Sequence, residues 1–295
     1  MNRIRMMTLR VIRLYIRDRQ TVLFSFLSAF IVVALFVLFL GKAIIGDMMT
    51  ALRGTFQEEK LLYLTYLQMM AGILGMNSIS LSSGAFTTIA RDFEERRSDS
   101  FLLTPMTAWE LVVSYFFGGV FVAYGMSIFS WILSYTMIGA LTGYWLALLP
   151  FLQICGVLLP VCFVSSAIIL LFAALVKSSS AIGVFTGVAG TVVGFLSGIY
   201  ISFKTLGEGV EKAGSLLPFT HFIIWMKQLV LVPAAEQVEL PASVLELMYD
   251  EFSANPVGIL GLNVPLWGTL LCGGAAAVLC LGLAAWLLQK RLAVK

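Results

Sequence analysis

The chain has 295 residues, of which 60% are hydrophobic and only 12% charged, and its formal net charge is +3. Soluble domains carry about 25% charged residues, so this composition, with a mean hydropathy of +0.96, excludes an ordinary soluble enzyme and indicates an integral membrane protein. The slight positive balance is not a nucleic-acid signal, because the basic residues fall where membrane topology puts them.

In chain order, residues 1–21 set Ile4, Met7, Val11, Ile12, Leu14 and Tyr15 among Arg3, Arg5, Arg10, Arg13, Arg17 and Arg19. This pattern predicts an interfacial helix on the inner leaflet, its arginines reaching lipid phosphates; a docking surface for a cytosolic partner is the alternative use of the same helix. Charge-free runs follow at Gln20–Gly41, Leu61–Ala90, Leu111–Val176, Ser178–Phe203 and Phe252–Gln289. Each can cross ~30 Å of hydrocarbon, which takes about 20 helical residues. The run from Leu111 to Val176 is long enough for two crossings, and Gly143, the aromatics and Pro150 in LTGYWLALLP mark the turn between them.

The predicted fold class is all-α integral membrane, a single transmembrane domain over 1–295 with an interfacial helix at 1–21. Its six spans fall near 22–41, 64–90, 111–140, 147–176, 181–203 and 264–289. A cytosolic loop occupies 91–110, and an outer loop with a re-entrant helix occupies 204–263. Most of the 19 Lys and Arg residues then lie on one side: the six amino-terminal arginines, Arg91, Arg96, Arg97, Lys177, Lys290, Arg291 and Lys295. Lys42, Arg53, Lys60, Lys204, Lys212 and Lys227 lie on the other. The positive-inside rule places both termini in the cytoplasm, in a bacterial inner or plasma membrane.

The second span is polar for a membrane helix. Asn77, Ser80, Gly84, Thr87 and Arg91 recur at helical spacing and share one face, with Met76 beside it. Such a face either packs with its serines bonded back to their own helix, or lines a substrate pathway. On the fifth span Gly183, Gly187, Gly190, Gly194 and Gly198 lie within an arc of about 80° at 100° per residue. They predict close packing of a second helix, from this subunit or another, with a hinge as the alternative.

In the outer loop SLLPFTHFIIWMKQLVLVP, containing Pro218, Phe219, His221 and Lys227, is short for a span and suits a re-entrant helix; SVLELMYDEFSAN reads as a short amphipathic helix. His221 lacks neighbouring ligands, so neither a metal nor a catalytic role is expected. Cys155, Cys162, Cys272 and Cys280 all fall inside predicted spans and read as packing residues. Gly41-Lys42 lacks the glycine loop of a Walker A sequence, so ATP must be bound by another chain if it drives this one. A membrane enzyme acting on lipids and a secondary transporter are the competing classes. Neither finds the ionisable pairs it needs in the charge-free spans.

The order of these parts resembles the type-2 permease family of ATP-binding-cassette transporters, over essentially the whole chain. The most specific match is the loop after the second span, where Asp92, Glu94, Asp99, Phe101, Thr104 and Pro105 follow the family's order; Arg96, Arg97 and Ser98 replace a common glycine. LPFTHFIIWMKQL is similar to the family's Pro-aromatic-x-His segment. The resemblance implies a non-catalytic transport subunit of an exporter for drugs, antibiotics, peptides or lipid-linked molecules. It implies as partners membrane lipids, a second permease subunit, identical or homologous, and cytosolic ATPase subunits, with ATP and Mg held there and no cofactor here. It further implies that Asp92, Glu94, Glu95, Arg96, Arg97, Asp99, Phe101, Leu102, Leu103, Thr104 and Pro105 form a short coupling helix and its flanks, with Phe101, Leu102 and Leu103 as an apolar knob in a cleft of the ATPase.

Overall fold

A computed structural model describes residues 2–35, 46, 57–95, 107–176, 178–259, 262–263 and 265–293. Helices dominate: α1 Asn2–Arg17, α2 Arg19–Leu35, α3 Glu58–Glu94, α4 Ala108–Thr142, α5 Leu148–Leu175 and α6 Ser179–Leu196. The helices α7 Phe203–Leu206, α8 Glu208–Ser215, α9 Pro218–Gln237 and α10 Ala242–Glu251 follow. A two-residue hairpin pairs β1 Gly258–Ile259 with β2 Leu262–Asn263 before α11 Leu266–Ala293.

The centre of the bundle is α3, which packs against α4, α9, α6 and α5. Its Tyr63, Leu64, Leu67, Met70, Ile73 and Leu74 are buried against those neighbours. At 37 residues it is about 56 Å long, well beyond the ~30 Å apolar layer, so its charged ends can stand in water. It extends past the expected 64–90 at both ends.

Among the described residues, four helices are long and apolar enough to cross a membrane: α4, α5, α6 and Trp267–Lys290 of α11. The pair α8 and α9, bent by 101° at Leu216-Leu217, makes a fifth if read as one broken span. Two of the six expected spans are not among these four. The expected 22–41 is described only as far as Leu35, the end of α2, and its remainder lies outside the described residues. α3 is long enough, but Gln68, Asn77 and its serines lower its hydropathy because it faces protein rather than lipid.

The turn between α4 and α5 forms where LTGYWLALLP predicts it. Gly143 adopts φ 74° and its N–H bonds Gly139 O, a left-handed stop that glycine takes without strain. Behind it Trp131 stacks on Phe151 at 5.6 Å, Trp131 Nε1 donates to Phe151 O at 3.2 Å, and Tyr135 OH donates to Leu146 O at 3.2 Å.

The fifth span is shorter than its expected 181–203. Gly198, at φ 62°, ends α6, and Ile199 N–H reaches back to Gly194 O at 3.1 Å. Gly198 is thus a helix stop and no part of a packing stripe. Of the rest, a Cβ on Gly190 would stand 3.7 Å from Ser80 Oγ and one on Gly194 would run into Met76 and Tyr200, whereas one on Gly183 or Gly187 would meet nothing described within 4 Å. Among the described residues, close packing inside the chain occurs along half the stripe.

Candidate functional site: a polar hub at the end of α3

Helix α1 is amphipathic, and Met7, Val11 and Tyr15, spaced four apart, form its buried stripe. Glycines let it approach closely: a Cβ on Gly118 of α4 would stand 2.7 Å from Val11, and one on Gly84 of α3 2.8 Å from Tyr15. Thr8 Oγ1 donates to Ser114 O at 3.2 Å. This docking brings Arg10, at the edge of the stripe, to the last turn of α3.

There Arg10 donates to Asp92 through both terminal nitrogens, at 2.7 and 2.8 Å, and Tyr115 OH of α4 donates to the same carboxylate at 2.7 Å. The fork geometry makes both bonds charge-assisted. The Asp92 side chain is 4% exposed and that of Arg10 29%. Hydrogen bonding to Asp92 raises Arg10 above its ordinary value.

Its neighbours on α3 tie other elements. Arg91 donates to Asp18 Oδ2 at 3.1 Å. Asp18 sits at the break between α1 and α2 and caps α2, accepting from Thr21 N at 3.1 Å and Thr21 Oγ1 at 2.8 Å. The bond from the Thr21 backbone, first among several, holds Asp18 below the usual carboxylate value. Glu94 accepts from Ser179 N at 2.8 Å, at the start of α6. Ser178 makes no side-chain cap there, so the carboxylate of α3 supplies both the acceptor and the negative charge that a helix amino terminus favours.

On the far side of residues 96–106, α4 begins with a reciprocal capping box. Glu110 N–H donates to Thr107 Oγ1 at 3.2 Å, and Thr107 N–H to Glu110 Oε2 at 2.9 Å. Of the expected coupling residues, Asp92, Glu94 and Glu95 are therefore described, while Arg96, Arg97, Asp99, Phe101, Leu102, Leu103, Thr104 and Pro105 lie outside the described residues. Asp92 departs from the expectation of a wet contact surface, because its carboxylate is consumed by Arg10 and Tyr115. Arg10, Asp18, Tyr115 and Ser179 carry no sequence mark of membership; the one signal was Arg10 flanking the apolar stripe of α1.

The polar face of α3 divides. Gly84, Thr87 and Arg91, with Tyr15, Asp18 and Thr21, line a 320 Å³ cavity beside the hub. Asn77 and Met76 are buried instead, with Met76 accepting from Tyr200 OH at 3.0 Å, and Ser80 is exposed. The hydroxyls mostly bond back to their own helix: Ser83 to Ser80 O at 2.6 Å and Thr87 to Gly84 O at 2.8 Å. A cross-helix contact of Ser78 with Ser165 at 2.7 Å joins α3 to α5 and has no counterpart in the sequence reading.

At the other end His221 Nε2 donates to Ser215 O at 2.7 Å, closing the bend between α8 and α9. Pro218 opens α9, and Phe219 and Lys227 are buried. Among the described residues no group of His, Cys, Asp and Glu has the arrangement of a metal site.

No curated protein matches the chain. A family model described as ABC-2 family transporter protein matches residues 47–286, from before α3 to within α11; Arg10 and Asp18 precede that region. With the helices above, this match means that the chain belongs to the ABC-2 transporter family, as a multi-pass type-2 permease subunit.

Proposed function

We propose that the chain is the membrane-spanning half of an ATP-driven exporter, and that a separate cytosolic ATPase, holding ATP and Mg, acts on it through residues 96–106. The carried compound is amphiphilic or hydrophobic: a drug, an antibiotic, a peptide or a lipid-linked molecule. In this reading α2 and α3 complete six spans, both termini are cytoplasmic in a bacterial inner or plasma membrane, and α8–α9 is re-entrant on the outer side.

The observation that carries the proposal is the hub. A force on residues 96–106 enters α3 at Glu95, and bonds from Arg91, Asp92 and Glu94 distribute it to α2, α1, α4 and α6. A contiguous, discretely bonded element of this kind can carry coupling, and it acts only if the ATPase states hold the segment differently. The open half of α6, with Gly183 and Gly187 and the exposed Val184, Val188 and Val192, suits a second permease subunit, identical or homologous.

The test is co-purification of the tagged chain with its ATPase, then export, for Phe101→Asp/Leu102→Asp and for Asp92→Asn. The double change should abolish ATPase association, and Asp92→Asn should keep association but lower export per ATP hydrolysed. Intact association and export in the double variant would refute the coupling assignment.

A further inference from the structure

Helix α1 meets α4 along one side only. Thr8 bonds Ser114 O, and Val11 sits against Gly118. The next positions round each helix, Leu9 and Ile12 on α1 and Phe117 and Phe121 on α4, line a groove of 550 Å³ together with Ile4 and Arg5. Phe117 and Phe121 are 40% and 57% exposed, so the groove stands open among the described residues. At 100° per residue Arg5, Leu9 and Ile12 lie about 100–160° round α1 from its buried stripe, and Arg10 lies about 100° the other way. Groove and hub are therefore on opposite flanks of α1.

Depth and charge narrow what fills the groove. The charge-free run of α4 begins at Leu111, and Phe117 and Phe121 follow it by about 9 and 15 Å at 1.5 Å per residue. Both fall within the inner half of a ~30 Å apolar layer, a depth occupied by acyl chains, which suit walls of aromatic and aliphatic side chains. Arg5 is exposed and no acid of the described residues pairs with it, and α1 contains no acidic residue. A guanidinium matches phosphate with two parallel N–H donors. The crowd of arginines on α1 attracts a headgroup of net negative charge and repels the choline of a zwitterionic one.

We propose that the groove between α1 and α4 holds one anionic phospholipid of the inner leaflet, its phosphate on Arg5 and an acyl chain along Phe117 and Phe121. This rests on the membrane placement proposed above. The lipid braces α1 on the flank opposite Arg10, so the helix is gripped by Asp92 on one side and by lipid on the other.

Native mass spectrometry of the full chain in a maltoside detergent tests this with phosphatidylglycerol and phosphatidylcholine of identical acyl chains. Retention of phosphatidylglycerol at least about threefold above phosphatidylcholine is expected, falling to the phosphatidylcholine level in Arg5→Gln and unchanged in Arg13→Gln, an exposed arginine outside the groove; an unchanged melting temperature certifies folding of both variants. A phosphatidylglycerol carrying a diazirine on its acyl chain gives a second readout that needs no variant. In vesicles it should label peptides containing Phe117 and Phe121 above those containing Trp267 and Leu271, which are exposed apolar residues of α11. Equal retention of the two lipids, an equal loss in Arg13→Gln, or labelling of α11 as strong as that of α4 would reduce the site to general attraction of a basic helix and overturn the proposal. Loss of a dimer mass in Phe121→Ala would assign the groove to a second copy of the chain, and also overturns it. None of these readouts involves the ATPase or export, so this site can fail while the exporter reading stands, and the reverse.

Discussion

Replacing Asp92 by Asn tests the hub most directly. Asparagine keeps the shape and one acceptor, which can still take one N–H of Arg10, and its amide can reach Tyr115 OH. What disappears is one of the two bonds to Arg10, at 2.7 and 2.8 Å, and the negative charge. A hydrogen bond to a charged group contributes about 1.5–3 kcal/mol net. Breaking a fully buried pair costs 3–5 kcal/mol, but the Arg10 side chain is 29% exposed and retains some hydration, so a loss of about 2 kcal/mol is expected. Equilibrium unfolding of the full chain in mixed micelles measures it. Arg10→Met and the double variant close the cycle, and coupling of at least about 1 kcal/mol is expected for groups in contact. Glu208→Gln is the internal control, since its bond to Lys212 joins side chains 85% and 78% exposed and such pairs contribute about 0–0.5 kcal/mol. If Asp92→Asn costs no more than Glu208→Gln, or the cycle shows no coupling, the hub is not a bonded unit.

Two further outcomes follow from local geometry. Asp18 is held below its ordinary value of 3.8, so its contribution is present above that value and is lost as pH falls through the lower folded one; Asp18→Asn should flatten the acid limb of stability below about pH 4, read by thermal unfolding across pH. Gly214→Ala should destabilise by more than about 1 kcal/mol, because its Cβ would run into the backbone carbonyl of Leu196, which cannot step aside. Gly187→Ala, facing open space, should instead gain up to about 1 kcal/mol from helix propensity; equal melting temperatures for the two would contradict the packing of α8 against α6.

Local chemistry carried far in the sequence. The α4–α5 turn was legible because Gly143 and its aromatics act within a dozen residues, whereas the 101° bend before Pro218 was not, that stretch having the pattern of one re-entrant helix. Span counting by hydropathy met its limit at α3, whose polar residues are tolerated by protein neighbours that no local window contains. The same blindness hid the hub: Arg10 and Tyr115 lie 82 and 23 positions from Asp92, so a residue that sequence reading places on a wet surface is buried. Glycine periodicity on α6 was real, yet periodicity cannot say what faces the stripe. Among the described residues, only Gly190 and Gly194 of the stripe meet other parts of this chain in helical packing.

The length of α3 has a mechanical meaning. It runs from Glu58 to Glu94 without a proline, so no proline kink divides it and a tilt at one end is carried along the helix. A tilt of about 5° pivoting at Asp92 would sweep Gln68, some 36 Å away at 1.5 Å per residue, through about 3 Å. That stroke equals the length of one hydrogen bond, enough to exchange the contacts that Gln68 makes with its buried surroundings.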